Sequence, residues 1–355
     1  MPIYGLVAFL LIFSHPLSSA AQEYLSLGSR EEIVAKARAE GKLRALSSMG
    51  PDTFNRLKKA FMEKYPFIDT YVEEMTGEDA NQRFLLELKA GQGRDWDVLN
   101  LSTDAYNEFL PYAKKVDILG MARKGVLAIP LQMIDPRNRN VVAEGSTVST
   151  MVYNKRLLPP ARAPASWEDF LKPEFKGKKF LVDIRSAELA TLAASLGIEW
   201  ALNYARKIKE QDPIWVRGRA GAVNAMINGE YALFLTSHYH SCVRRGERDP
   251  TKSLVCQIIE PVPVRIVEPD AVANNAPHPH AALLWLEFVA SPAAQKIIDE
   301  HQPLKSSIYA PGSELEKVIK GRKVAMLDWE NFHNAEPWMK RIYEAFGFPQ
   351  AQRVR

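Results

Sequence analysis

The segment NGEYALFLTSHYH, residues Asn228–His240, indicates the fold more clearly than any other part of the chain. It opens with Asn-Gly, a pair typical of a helix C-terminus, because glycine adopts the left-handed backbone conformation at little cost. The apolar run at 231–235 has the length of a buried strand. Four polar residues follow that run: Ser237, His238, Tyr239 and His240. Open α/β sheets place their ligands at such strand ends. Two interpretations stay open, a binding site or the start of the next helix.

The alternation of strand, loop and helix continues on both sides of this segment. A short strand at 43–46 ends at Ser47, Ser48 and Met49, and a helix with apolar residues at helical spacing follows. A second strand, at 97–101, ends at Ser102 and Thr103 ahead of another helix. This rhythm predicts an α/β fold with doubly wound sheets.

The chain is long enough for two lobes. Its 355 residues exceed what one compact core usually holds. A strand at 149–154 leaves the first lobe, and a segment rich in proline and valine at 261–275 returns to it. We therefore predict lobe 1 at 22–148 plus 265–355 and lobe 2 at 149–264. Two connections between lobes imply a hinge.

Charge and composition exclude one class of partner. The 46 basic and 42 acidic residues are well mixed and leave a net charge of +4, which is too mild for a protein that binds nucleic acid. No nucleic-acid partner is therefore expected. A mildly basic chain is compatible with a cleft that attracts anions.

The N-terminus predicts export. An unbroken apolar run from Leu6 to Phe13 precedes a stretch of small residues, which is typical of a secretory signal peptide at 1–21 cleaved near Ala20-Ala21. The protein is then expected in the periplasm. In that oxidising compartment Cys242 and Cys256 either form a disulfide or remain two buried thiols, and the sequence leaves both open.

Several segments carry a resemblance to a known family. They are LRALSSMGPDTFNRLKKAFMEKYP at 43–66, DWDVLNLS at 95–102, MVYNKRLLPP with SWEDFLKPEFKGK at 151–178, NGEYALFL at 228–235 and APHPHAALLWLEFVASPAAQKII at 276–298. In this order they resemble the bacterial extracellular solute-binding proteins of ABC importers, above all the ferric-binding branch. The resemblance implies a monomeric, two-lobed protein of the type II periplasmic class. Such a protein closes on a small ligand or ion, delivers it to permease subunits and catalyses no reaction.

The resemblance also implies a ligand set in the cleft between the lobes. In the first lobe its candidate residues lie in two loops that follow strands: Ser47, Ser48, Met49, Ser102 and Thr103. Ferric-binding relatives carry two adjacent tyrosines after the Asn-Gly-Glu strand, and the matching positions are Tyr239 and His240. Phenolate and imidazole both bind metals, so these two are candidate iron ligands. Relatives hold phosphate or carbonate at positions that match Ser186 and Arg219, and Arg185 adds a second guanidinium. Arginine binds carboxylate and phosphate oxygens through paired hydrogen bonds.

The expected ligand is therefore a small anionic solute, or ferric iron held with a synergistic anion and carried as cargo, with no cofactor. The alternatives are thiamine, a polyamine or another organic solute. A rival class is a secreted hydrolase that uses Ser237, although the G-x-S-x-G motif is absent. A sensor partner that passes the ligand signal to a receptor is a third possibility.

Overall fold

The computed structural model describes residues 28–93, 95–185 and 187–348, and the predicted signal peptide lies outside these ranges. The α-helices are α1 (Arg30–Glu40), α2 (Pro51–Lys64), α3 (Glu78–Lys89), α4 (Tyr106–Phe109), α5 (Ile118–Arg123), α6 (Ala187–Leu196), α7 (Ile198–Glu210), α8 (Arg219–Ile227), α9 (Tyr239–Arg248), α10 (Pro279–Val289), α11 (Pro292–His301), α12 (Glu314–Ile319) and α13 (Ala335–Ala345). The strands are β1 (Lys42–Ser47), β2 (Asp69–Glu74), β3 (Val98–Asn100), β4 (Val141–Asn154), β5 (Leu181–Asp183), β6 (Ile214–Val216), β7 (Leu233–His238), β8 (Leu254–Gln257), β9 (Val262–Val272) and β10 (Val324–Leu327).

Local sequence explains many of these boundaries. Helix α2 starts at a proline, which needs no N–H partner in the first turn, and ends before Pro66. Ser166 and Asp169 form a capping box, in which the Asp169 N–H donates to Ser166 Oγ at 3.2 Å. In return, the Ser166 N–H donates to Asp169 Oδ2 at 3.0 Å. The helix that this box caps is a short 3-10 turn, Glu168–Leu171.

The strands of the described residues form one continuous sheet in the order β2-β1-β3-β9-β4-β7-β5-β6. Strand β10 pairs with β9, and β8 pairs with β4. Strand β4 changes partner along its length: Val148 pairs with Val264 of β9, and the next residue, Ser149, pairs with His238 of β7. The two long strands β4 and β9 thus connect one half of the sheet to the other. The predicted α/β class is confirmed.

Strand β9 occupies a segment that the sequence suggested only as a connection. Pro263 and Pro269 lack the N–H that a strand donates to its neighbour, so the pattern predicts no regular strand there. Even so, Pro263 pairs in register with Ala325 and Pro269 pairs with Ala143. Tertiary pairing on both edges outweighs the local preference.

Two large apolar cores lie on the two halves of the sheet. In the first half, Phe61 packs against Trp285 and Phe288 in the core beside α2 and α10. The core of the second half contains Trp167 and Phe180. Helix α13 packs against α6 and α7 in this second half, although the predicted lobe 1 includes 265–355.

Helix α9 is joined to β8 by a disulfide between Cys242 and Cys256, so the structure contains the bridge that the sequence left open. Within the described residues, no single helix has the length and apolar character needed to cross a membrane. Only α10 and α11 taken together reach that length, and they are bent by 67°.

Candidate ligand-binding site

The site is built around the end of β7 and the start of α9. His238 is the last residue of β7 and also caps α9, whose first two residues are Tyr239 and His240. The rings of His238 and His240 are 5.5 Å apart. The strand runs three residues further than the apolar run suggests, so Ser237 belongs to it and is fully buried.

An arginine from the next helix approaches this pair of histidines. Arg219 is the first residue of α8, and its guanidinium donates to Glu188 Oε1 at 2.6 Å. The same carboxylate oxygen lies 3.8 Å from His238 Nε2. Arg219 Nε is buried and has no hydrogen-bond partner among the described residues. The arginine therefore keeps one donor available beside the histidines.

Three cations converge on His240. Burial, followed by the charges of Lys305, Arg244 and Arg219, holds the pKa of His240 well below its usual value. Burial and then Arg219 also lower the pKa of His238 strongly. Both imidazoles are consequently neutral at pH 7, in a region of positive potential. Such a region favours a ligand with negative charge.

The opposite wall comes from the first half of the sheet. Ser48, in the loop after β1, donates through Oγ to Glu268 Oε2 at 2.5 Å. Glu268 Oε1 lies 2.7 Å from the Lys305 ammonium. Asn100, at the end of β3, donates to Glu268 Oε2 at 3.2 Å. The buried carboxylate of Glu268 thus contacts both Ser48 and the basic group of Lys305.

A cation from the second half reaches this wall. The Arg244 guanidinium lies 3.5 Å from Asp52 Oδ2 on α2. Its Nη1 atom would lie 3.4 Å from a methyl group placed on Gly50. The loop after β1 and helix α9 therefore face each other across a narrow gap, and Arg244 projects into it.

The other candidates from the first half contribute less. Ser47 Oγ accepts the Met49 N–H at 3.2 Å, and the Met49 side chain packs into the core. Both residues shape the loop, and the Met49 side chain does not face a ligand. Ser102 and Thr103 are partly buried at the start of a 3-10 turn, and no hydrogen bond from the Ser102 side chain caps it.

In the second half, Arg185 and Tyr239 make contacts within the protein. The Arg185 guanidinium binds Asp183, with an Nη2 to Oδ2 distance of 2.9 Å. The Tyr239 ring packs against the apolar cluster that contains Val264 and Leu304. Ser186 lies outside the described residues.

Sequence reasoning missed Glu188, Arg244, Glu268 and Lys305. Glu188 lies in the first turn of α6, and helix N-termini at strand ends are a signal that could have indicated it. Arg244 lies in the second turn of α9. Glu268 lies inside an unpredicted strand, and Lys305 lies in a loop after α11. Only tertiary packing places these last two beside the cleft.

The described residues show no group of three or more His, Cys, Asp or Glu side chains that could hold a metal ion. The arrangement of cations, neutral imidazoles and paired acids provides for binding. The hydrolase alternative is not supported, since Ser237 is buried within a strand.

Fold and site together define a binding protein of the two-halved α/β type. The chain belongs to the bacterial extracellular solute-binding protein family, whose model matches residues 105–335. The resemblance found in the sequence is thereby confirmed. Because the family consists of binding proteins, the expectation of a non-enzymatic function is also confirmed. No curated protein sequence matches the chain.

Solved structures share the fold at low identity. The apo ferric ion-binding protein A of Pasteurella haemolytica is 17% identical, with a TM-score of 0.66 over 88% of this chain and 100% of that chain. The ferric binding protein of Campylobacter jejuni is 18% identical, with a TM-score of 0.66 over 86% and 100%. A Trichodesmium protein (IdiA, FutA) in complex with iron and citrate is 18% identical, with a TM-score of 0.58 over 85% and 99%. These similarities establish the type II periplasmic binding-protein fold.

Proposed function

We propose that this protein is the periplasmic solute-binding component of an ABC importer and captures a small anion that carries carboxylate or phosphate groups. One observation supports this ligand class above the others. Burial, and then the charges of Lys305, Arg244 and Arg219 from three separate segments, lower the pKa of His240. Each of these cations has a carboxylate partner, but Arg219 Nε is buried and has no hydrogen-bond partner among the described residues, so an anion in the cleft would complete its bonding.

The lobes close by rotation about β4 and β9. Support comes from the change of partner between Val148 and Ser149, where β4 passes from β9 to β7. We place the hinge there, with lobe 1 at 22–148 plus 265–355 and lobe 2 at 149–264, except that α13 packs with lobe 2. Closure brings Arg244 of lobe 2 to the loop after β1 in lobe 1. The ligand shifts the equilibrium between the open and closed forms toward the closed form, because only in that form does it contact both walls.

Delivery to permease subunits and export through the predicted signal peptide complete the proposal. The family description is extracellular, and the disulfide between Cys242 and Cys256 suits an oxidising compartment. We place the protein in the periplasm as a monomer on this basis.

A ferric complex of such an anion is a second candidate cargo. The relatives named for ferric iron, and the Trichodesmium structure with iron and citrate, favour it. If Tyr239 bound iron, its ring would have to leave the apolar cluster around Leu304. A visible tyrosinate band on adding ferric citrate, lost in Tyr239→Phe, would establish direct iron ligation. Binding without that band would mean that the anion alone is recognised.

The test is a calorimetric titration with inorganic phosphate, citrate, ferric citrate, thiamine and spermidine. Arg244→Gln suits it because the partner Asp52 is largely exposed, so losing that ion pair costs little stability. A charge-assisted hydrogen bond contributes about 1.5–3 kcal/mol. We therefore expect Kd for the bound anion to rise by about 10- to 150-fold.

Arg206→Gln is the matched control, because it removes the same charge from the exposed face of α7 and should leave Kd unchanged. Binding of thiamine or spermidine in place of the anions would overturn the proposed ligand class. An unchanged Kd in Arg244→Gln would overturn the proposed site.

A further inference from the structure

Lys305 is a buried cation that the ligand-binding argument uses only as a source of charge. Its side chain is 7% exposed, and the ammonium lies 2.7 Å from a carboxylate, Glu268, whose side chain is 2% exposed. A buried ion pair gives little net stability, because desolvation of the two charges offsets their attraction. The position of this pair beside the cleft therefore calls for a functional explanation.

Glu268 is held in place from several directions. Ser48 donates to its Oε2 at 2.5 Å and Asn100 donates to the same atom at 3.2 Å. Its backbone has a φ of 53°, in the left-handed region that residues other than glycine rarely adopt. Strain of this kind is found preferentially at functional sites. Glu268 is thus positioned to hold Lys305.

Two more carboxyl groups lie behind this ion pair. Burial, then the charge of Glu268, raises the pKa of Asp270 well above its usual value. Burial and Asp270 raise the pKa of Glu144 likewise, and Glu144 Oε1 has no hydrogen-bond partner. Asn100 donates to Asp270 Oδ1 at 2.5 Å. Glu144, Glu268 and Asp270, which we call the carboxyl cluster, are therefore balanced by a single ammonium and by protons.

We propose that Lys305 is an anion-binding residue that is paired with Glu268 until a ligand arrives. When the anion binds, the ammonium moves from Glu268 to the ligand, and the carboxyl cluster takes up a proton. The inference rests on the proposed function, that the cleft binds an anion. Lys305 keeps its charge throughout, and a solvent proton converts one carboxylate of the cluster into a carboxylic acid. The only covalent bond that forms is the O–H bond of that carboxylic acid.

The groups that face this exchange lie on several elements. On the cluster side they are Glu144 of β4, Arg265 and Asp270 of β9, and Asp299 of α11, which binds Ser306 beside Lys305. Across the cleft they are His238, His240, Arg219 and Arg244. The cations across the cleft act on the two histidines. Glu268 is the acidic group in direct contact with the Lys305 ammonium, and it decides whether that ammonium is available.

The coupling has a definite sign. If binding takes up a proton, affinity rises as pH falls, by up to about tenfold per pH unit for one proton. By linkage, the same proton uptake must also contribute to the measured heat of binding, in proportion to the ionisation enthalpy of the buffer. Both quantities are measurable on the unaltered protein, so the test does not depend on a variant that folds.

The experiment is calorimetry with inorganic phosphate and citrate across mildly acidic to mildly alkaline pH, in buffers of different ionisation enthalpy and with each anion's own ionisation subtracted. We expect proton uptake on binding by the wild-type protein. Glu268→Gln frees Lys305 and removes the carboxylate that the ammonium would leave behind, so it should tighten binding severalfold at neutral pH and abolish the uptake. Lys305→Met should weaken binding at least tenfold.

Glu314→Gln is the matched control, because Glu314 pairs with Lys317 on the exposed surface and its loss should change neither affinity nor proton uptake. If neither anion binds the wild-type protein, the proposed function and this inference both fail. If an anion binds without proton uptake, or if the uptake persists in Glu268→Gln, the inference alone is overturned. An affinity unchanged by Lys305→Met would overturn it as well.

Discussion

The disulfide between Cys242 and Cys256 offers a quantitative test of the structure. It joins the buried Cys242 of α9 to β8 across 14 residues of sequence. Closing a loop of this size restricts the unfolded chain and contributes about 3 kcal/mol to the free energy of unfolding. The bridge also anchors the helix whose first turn carries His240, and so it restrains one wall of the site.

The assay is thermal unfolding of the oxidised protein, the reduced protein and the double variant Cys242→Ala/Cys256→Ala. For a chain of this size, about 3 kcal/mol corresponds to a fall in Tm of about 4 °C. Reduction of the wild-type protein should reproduce most of the fall seen in the double variant. The double variant itself should not respond to reductant, which separates the bridge from any other effect of the reagent.

Two results would contradict this reasoning. If reductant leaves the Tm of the wild-type protein unchanged, the bridge adds nothing to stability or does not form. In that case the argument for an oxidising compartment loses its support. If the double variant unfolds at a much lower temperature than the reduced protein, packing of the Cys242 side chain, and not the bridge, is the main contribution.

Two further predictions concern buried polar groups. Ser237→Ala should leave the free energy of unfolding, measured by urea denaturation, unchanged or raise it by about 1 kcal/mol. The reason is that the buried Ser237 hydroxyl has no hydrogen-bond partner among the described residues. A clear loss of stability would show that the hydroxyl is bonded. Although burial acts to raise it, hydrogen bonds from Thr251 and Ser253 hold the pKa of Asp249 well below its usual value. The folded pKa lies below the unfolded one, so this contribution is present above about pH 4 and is lost as pH falls further. Asp249→Asn should therefore lower stability at neutral pH and make it less sensitive to acid, and equal acid sensitivity in urea titrations of both proteins would refute this.

The sequence determined the class of fold and the elements with strong local signals. Helical spacing of apolar residues predicted α2, and the capping box of Ser166 and Asp169 joins residues only three apart. These features depend on interactions a few residues apart, which a single sequence displays directly. The segment Asn228–His240 likewise predicted a helix end, a strand and a polar strand end in the right order.

Tertiary structure decided which polar side chains face the cleft. Strand β7 extends to His238 because it pairs with β4, and this pairing buries Ser237. Strand β9 forms despite its prolines, and it carries Glu268 to within 2.7 Å of Lys305. Contacts between residues so far apart in sequence depend on how the two halves of the sheet meet. Local spacing therefore identified one wall of the site, and the packing of the chain supplied the cations and acids of the other.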